Sequence, residues 1–395
     1  MLTDKTIMIL GASILQLPAI EKAREMGLKV VALDMNPNAV GFTVPGVVQE
    51  VISTVDVRGA IEAAKRCKID GVMTLATDMP MRTVAAVAKE LGLIGISEDA
   101  AIKATDKGAM REALQDAGVP IPKFYVVADK DEFDIAVANM SEAFMVKPAD
   151  SSGSRGVLKV EDKFSAEKAY EYAKSFSKRG VVVVEECMTG PEVSVETLAV
   201  DGTVRVVQIT DKITTGPPHF VEMGHTQPTR LNCVEEIEQT AVMANKAIGI
   251  ENGPSHTEII VTDEGPKIVE LGARLGGDCI TTHLVPLSTG VDMVGACIKI
   301  ALGEKPDIEP TLHCGSAIRY FKQHAGVIKS VEGVEEAKST PGVKQLAFVH
   351  KTGGRITEIT DSRARMGFVI TQGKDANDAA EKAEVALNKT KVVIV

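Results

Sequence analysis

The chain has 395 residues, enough for two or three domains with a substantial core, and a formal net charge of −10. That balance, the lack of a long Lys/Arg cluster, the absence of Trp and an aromatic share of 4% argue against a nucleic-acid partner, because they supply neither a phosphate-tracking stripe nor a base-stacking platform. The six cysteines, Cys67, Cys187, Cys233, Cys279, Cys297 and Cys314, are scattered without CxxC spacing, so neither a disulfide framework nor a structural zinc site is indicated, and reduced thiols in a cytoplasmic protein fit best.

The N-terminus moves directly into the strand-like TIMILG without the basic and long apolar regions of a secretory leader, and no apolar run reaches membrane-spanning length, so no membrane partner is expected. TIMILGAS is followed by a helix from about Pro18 to Met26, then LKVVALDMN, the helical DVRGAIEAAKRC, the strand-like DGVMTLAT and a helix from about Pro80 to Leu91. Short apolar strands alternating with helices imply a parallel sheet with βαβ crossovers, a Rossmann-like domain over residues 1–115. The turn Gly11-Ala12-Ser13 lacks GxGxxG, which makes a dinucleotide reading weak despite Asp34 at the end of the second strand. The carboxyl ends of these strands are better placed to form one wall of a substrate cleft.

The helix KGAMREALQDAG and the turn Val119-Pro120-Ile121-Pro122 open a second unit, residues 116–309. In FMVKPADSSGSRGVLKV, Lys147 ends a strand and Ser151, Ser152, Gly153, Ser154, Arg155 and Gly156 form a loop. Small residues let backbone N–H groups approach phosphate oxygens beside a lysine, although a plain hairpin loop fits too; no GK[ST] opens a helix, so it is not a Walker A loop. VVVVEECMTGPEVSVETL gives an apolar strand ending near Glu185, Glu186 and Met188, a break at Thr189-Gly190-Pro191, and a strand with Glu192, Ser194 and Glu196 on one face. Such a strand end can meet an adenine edge, and Glu192 can reach ribose hydroxyls; a solvated amphipathic strand gives the same pattern.

HTEIIVTDEGPKIVELGARLGGD reads as a β-hairpin. With Asp263-Glu264-Gly265 as a three-residue loop, Ile260 falls opposite Ile268 and Glu258 opposite Glu270. Two carboxylates at about 5 Å and an effective dielectric near 20 repel by roughly 3 kcal/mol, a penalty that a divalent cation removes. Arg274 and Gly276-Gly277 follow, adding a cation and exposable N–H groups suited to phosphoryl chemistry. His225 in GHTQP and His256, two residues before Glu258, are candidates for lining a substrate pocket. Arg319 and Arg365 could reach a substrate carboxylate from the tail, or be solvated strand residues. The tail, residues 310–395, has strand signals in GSAIRYF, GRITEI and MGFVITQG and a helix in DANDAAEKAEVALNK, and reads as a smaller α+β unit.

Taken in order, Lys107, Lys147, the loop 151–156, the segment from Glu185 to Glu192, Glu258, Glu270 and Arg274 resemble the ATP-grasp superfamily, and the resemblance runs over nearly the whole chain. The overall layout resembles the carbamoyl-phosphate synthase and biotin carboxylase type, while HFVEMGHTQP and the two-glutamate segment are most similar to the branch that includes bacterial L-amino acid ligases. The resemblance implies a mixed α/β and α+β ATP-grasp fold with an α+β lid, ATP and Mg2+ (or Mn2+) as cofactors, and a homodimer. It also implies roles: Lys107 and Lys147 on the α- and β-phosphates and adenine N7, Ser152, Gly153 and Ser154 over the phosphates, the backbone of Glu186 and Met188 on adenine, Glu192 on ribose, Glu258 and Glu270 on Mg2+, and Arg274 with Gly276 and Gly277 on the reacting phosphate. The implied reaction is amide or peptide bond formation from a small-molecule carboxylate and an amine through an acyl phosphate; the alternatives are a bicarbonate- or formate-activating enzyme and a nucleotide sensor. Where many relatives have Glu-x-Asn at the second metal ligand, this chain has Gly272, so either Glu270 bridges both ions or one ion is held more weakly.

Overall fold

The computed structural model describes residues 4–140, 143–151, 155–217 and 219–395; the expected phosphate contacts Ser152, Gly153 and Ser154 lie outside the described residues. The chain begins with β1 (Thr6–Leu10), α1 (Leu17–Glu25), β2 (Lys29–Leu33), β3 (Val47–Glu50), α2 (Val57–Cys67), β4 (Gly71–Met73), α3 (Met81–Leu91) and α4 (Glu98–Lys103). The strands form one sheet in the order β3-β2-β1-β4, all parallel, as the βαβ pattern implies. β1 is buried along its whole length because both faces are covered: Met8 and Leu10 pack with Ala60, Ala64 and Val84, and Ile7 and Ile9 with Ala19, Ile20 and Ala23. Edge strand β3 carries no readable alternation, since Val48 and Gln49 are both exposed.

Next come α5 (Lys107–Asp116), β5 (Phe124–Val127), α6 (Lys130–Ala138), β6 (Phe144–Pro148), β7 (Leu158–Val160), α7 (Ala166–Phe176) and β8 (Val182–Glu186). β5-β8-β6-β7 make an antiparallel sheet, with Phe133 of α6 and Tyr170 of α7 in ring contact at 4.6 Å.

The rest of the chain supplies β9 (Glu192–Val200), β10 (Thr203–Thr214), β11 (Glu222–Gln227), α8 (Val234–Ile248), β12 (Gly253–Thr262), β13 (Gly265–Gly272), α9 (Val285–Thr289), α10 (Met293–Ala301) and β14 (Gly315–Tyr320). It closes with β15 (Gly326–Glu332), α11 (Val334–Lys338), β16 (Val343–Phe348), β17 (Arg355–Ile356), β18 (Gly367–Gly373), α12 (Ala376–Lys389) and β19 (Lys391–Ile394). An eight-stranded antiparallel sheet in the order β13-β12-β9-β10-β11-β14-β18-β16 dominates this half. Strands of the tail therefore extend the central sheet across the expected boundary at 309, through β11 paired with β14. Only β17-β15-β19 stand apart as a small sheet of their own. No single helix among the described residues is long and apolar enough to cross a membrane.

Alternation sorts the central sheet. Val193, Val195, Ile209, Ile259, Ile268 and Leu271 face α8, where Ile237, Ala241, Ala244 and Ile248 receive them. The pairings His256↔Glu196, Glu258↔Ser194, Lys212↔His225 and Glu258↔Glu270 put the polar set on the opposite face.

The hairpin differs from expectation in one respect. Thr262 pairs with Gly265, so the loop is the two residues Asp263-Glu264, and Ile260 lies opposite Lys267 rather than Ile268. Ile259 pairs with Ile268 and Glu258 with Glu270, leaving Val269 as a one-residue bulge. The bulge undoes the register change from the shorter loop, which is why the two glutamates still face each other.

Candidate active site

One cavity of about 300 Å3 opens between the polar sheet face, the β5–β8 sheet and the carboxyl end of β4. Lys107, Lys147, Glu185, Glu186, Met188, Glu192, His225, His256, Glu258, Glu270, Arg274 and Gly277 all line it. The structure thus gathers residues that are up to 170 positions apart in the chain.

Lys147 on β6 donates to Glu185 Oε2 at 2.6 Å, and Arg111 donates through Nε to Glu185 Oε1 at 2.7 Å. Burial pushes the Glu185 carboxyl up, but the Arg111 and Lys147 charges outweigh it and hold the group down at about 2. Arg111 also donates to the carbonyl of Val269 at 2.7 Å, the oxygen freed by the hairpin bulge. Lys107, first residue of α5, donates to Ser151 O at 2.8 Å and to Glu270 Oε1 at 2.9 Å. Burial alone would depress the Lys107 ammonium; the Glu270 charge raises it.

Lys212 of β10 stands among three carboxylates: Glu192 at 2.6 Å, Glu258 at 3.0 Å and Glu222 at 3.9 Å. Its pKa is raised well above the ordinary value, since these charges overcome burial. His256 shares its Nδ1 with Glu196 Oε1 at 2.5 Å and lies 3.6 Å from Glu258 through Nε2. Burial disfavours the imidazolium, yet Glu196 and Glu258 push its pKa up to about 9. Arg274 is gripped by Asp78, with Nε to Oδ1 at 2.9 Å and Nη2 to Oδ2 at 3.1 Å.

Asp278 lines the cavity and takes two bonds from Arg365, at 2.7 and 2.6 Å, with His225 Nε2 at 3.2 Å. Burial opposes the charge, but Arg365 and His225 hold the carboxyl well below its usual range. The Arg365 guanidinium also lies 3.8 Å from the centre of the Tyr320 ring. Arg365 thus meets the cavity through Asp278. Arg319 instead binds Glu384, the carbonyl of His225 and Thr226 Oγ1, away from the cavity lining. The Gly276 N–H, expected to serve the reacting phosphate, donates to Glu196 Oε2 at 3.3 Å; Gly277 reaches the lining.

Sequence reasoning passed over Asp78, Arg111, Lys212 and Asp278. Arg111 had a signal, standing four residues after Lys107 on the same helix. Asp78 follows β4, at the sheet edge already expected to wall a cleft. Lys212 and Asp278 are assigned only by sheet register and by the turn after β13.

Glu258 and Glu270 project from adjacent strands into the cavity, and each is neutralised by a lysine, Lys212 and Lys107. Among the described residues no cluster of three or more His, Cys, Asp or Glu side chains forms a ready-made metal cage. Hard oxygen donors in a pair fit Mg2+, which takes one or two carboxylates and completes its shell with phosphates and water.

Residues 140–282 match the ATP-grasp domain family, and residues 319–395 match L-amino acid ligase C-terminal domain 2. These matches give the chain an ATP-grasp domain followed by a C-terminal domain of the L-amino acid ligase type. An uncharacterised protein of Sinorhizobium fredii is 27% identical over 80% of this chain and 66% of its own length. The alanine–anticapsin ligase of Bacillus subtilis is 25% identical over 72% of this chain and 65% of its own. The chain therefore spans about two thirds of the length of these relatives. The crystal structure of an L-amino acid ligase from Bacillus licheniformis shares the fold with a TM-score of 0.84, at 23% identity, over 100% of this chain and 99% of that one.

Proposed function

We propose that the protein is an ATP- and Mg2+-dependent ligase that joins the carboxylate of one small molecule, of the amino acid class, to the amine of another. The observation that carries this reading is the convergence of the facing pair Glu258 and Glu270, Lys107, Lys147 and Arg274 on a single cavity. The match of the tail to an L-amino acid ligase domain favours an amino acid over bicarbonate or formate.

In this reading Lys147, fixed by Glu185, and Lys107, fixed by Glu270 and Ser151 O, present ammonium groups to the nucleotide phosphates. The loop around Ser152, Gly153 and Ser154 covers them. The backbone of Glu186 and Met188 meets the adenine edge, and Glu192 meets the ribose. Glu258 and Glu270 hold Mg2+, with Mn2+ as a substitute; the bound ion would neutralise charge on the phosphates and fix the attacked phosphorus in line. The substrate carboxylate attacks the γ-phosphate, ADP departs, and the amine displaces phosphate from the acyl phosphate. Arg274 and the Gly277 N–H stabilise charge on the oxygens of both steps. His225 and His256 line the end of the cavity where the substrates meet. The functional units are residues 1–115, 116–309 and 310–395, in a cytoplasmic homodimer without nucleic-acid or membrane partners.

The test is phosphate release from ATP and Mg2+ over a panel of single amino acids, amino acid pairs, bicarbonate and formate, with mass spectrometry of each active mixture. Release that requires a carboxylate and an amine together, with a condensed product, supports the reading. Normal product formation by Glu270→Gln would overturn the metal assignment, and release with bicarbonate alone would overturn the ligase assignment.

A further inference from the structure

Gly272 occupies the position where a metal-binding Asn would stand, and the structure shows what uses the space. A Cβ built on Gly272 would lie 2.6 Å from Asp78 Oδ1 and 3.1 Å from Arg274 Cζ. The room left by the missing side chain is filled by a carboxylate from the N-terminal sheet. Asp78 grips Arg274 side-on through Nε and Nη2, and Nη1 keeps only a 3.4 Å bond to the Leu275 carbonyl. Both Asp78 and Arg274 line the cavity and are mostly buried. A second tether holds the same segments together: Ala76 N donates to Leu275 O at 3.3 Å, and Ala76 adopts a left-handed backbone with φ of 61°, a conformation that costs a residue with a Cβ.

We infer that Asp78 is a positioning residue for the reaction: it reaches across from the N-terminal domain to lock the Arg274 guanidinium, leaving the Nη1 edge for the substrate's oxyanion, and Gly272 is the notch that admits it. A guanidinium carries five N–H donors on a rigid plane, and a carboxylate that takes one edge fixes the direction of the others. This inference rests on the ligase reading for the role of Arg274, though the pairing itself does not. It gives the N-terminal domain a part in the site, since that domain supplies the carboxylate that orients Arg274.

The test is a double-mutant cycle of Asp78→Asn and Arg274→Ala, read as kcat and KM for phosphate release and as ADP affinity by calorimetry. Asn keeps the size of Asp, but it turns an N–H toward an N–H and removes the charge. Asp78→Asn should lower kcat about 10- to 100-fold with ADP affinity within twofold of wild type, and the double variant should be no slower than Arg274→Ala alone. A kcat within twofold of wild type, or fully additive losses in the double variant, would overturn the inference. Gly272→Ala provides an independent check if Asp78→Asn does not fold. It forces a methyl against Asp78 Oδ1 without altering either charge and should lower kcat in the same way; unchanged kcat counts against the inference. If wild type releases no phosphate with any mixture, the ligase reading has failed, and a crystal structure of Asp78→Asn decides the pairing: an Arg274 guanidinium that stays in place refutes it.

Discussion

Glu185→Gln removes the charge at the centre of a buried ion network on the cavity wall. Glu185 and Arg111 side chains are each 2% exposed, and Lys147 is 11% exposed, so solvent offers little replacement. The carboxyl is held at about 2 against an ordinary 4.5, a difference of about 2.5 pH units, which at about 1.36 kcal/mol each corresponds to roughly 3 kcal/mol. That agrees with the roughly 3–5 kcal/mol cost of removing one partner from a buried pair. For 395 residues at about 2.1 cal/mol/K each, the unfolding entropy is near 0.8 kcal/mol/K, so Tm should fall by about 4 °C. The sign with pH follows from the depressed pKa. The contribution is complete above pH 4.5 and is lost as pH falls through about 2, so it should shrink to roughly 1.5 kcal/mol by pH 3. Thermal and urea unfolding of both proteins from pH 7.5 to 3 would show the gap and its narrowing. A Tm change under 1 °C at pH 7.5, or a gap that does not narrow, would refute the reasoning. Because Lys147 loses its anchor, ADP affinity should fall together with Tm.

Gly276→Ala would place a Cβ 2.6 Å from Glu196 Oε1 and 2.7 Å from His256 Nδ1. It should cost about 1–3 kcal/mol by overpacking, visible in Tm, and break the hydrogen bond that holds His256, visible as weaker substrate saturation. Asp278→Asn would leave Arg365 buried without a counter-charge and loosen the tie between the tail and the cavity wall. We expect a loss of about 3 kcal/mol or more and faster proteolysis within residues 355–366; a Tm within 1 °C of wild type would contradict it.

The architecture was legible where the physics is local. Continuous apolar strands spaced by helices gave the parallel sheet, and β1 is buried on both faces as such a run requires. The facing of Glu258 and Glu270 was also legible, although the hairpin reaches it by a two-residue loop and a bulge at Val269, two changes that cancel in register. The tail was readable in part: β14, β18 and α12 fall where GSAIRYF, MGFVITQG and DANDAAEKAEVALNK put them, whereas β15, β16 and β19 carried no signal. β15, β16 and β19 are half exposed, and β14 joins the central sheet through β11, with partners such as Gly224 and Arg319 about 95 positions apart. The partners of the site residues were hidden for a related reason. Asp78 to Arg274 spans 196 positions and Arg111 to Glu185 spans 74, and no periodicity within one segment carries such a pairing. Motifs and the family resemblance named many of the groups that line the cavity; the fold added Asp78, Lys212 and Asp278 beside them and Arg111 behind them.

The repulsion expected between Glu258 and Glu270 is one that a divalent cation would remove, and in the structure two lysines already reduce it. Lys212 stands 3.0 Å from Glu258 and Lys107 2.9 Å from Glu270, so the protein balances the two carboxylates proposed to hold the metal with its own ammonium groups. A cation entering alone would have to share those oxygens with two lysines. Nucleotide phosphates change the balance, because they accept the bonds that Lys107 and Lys212 give up while adding ligands to the ion. Metal and nucleotide should therefore bind cooperatively. Mg2+ alone at millimolar concentration should raise Tm by less than 1 °C, whereas ADP at a hundredfold excess over its Kd with Mg2+ should add about 2.7 kcal/mol, or roughly 3 °C. Lys212→Met should partly reverse the order, since it exposes Glu258 to the ion: Mg2+ alone should bind more tightly than in wild type, and the extra gain from ADP should shrink. Equal Mg2+ affinity in wild type and Lys212→Met would show that the lysines do not guard the metal seat.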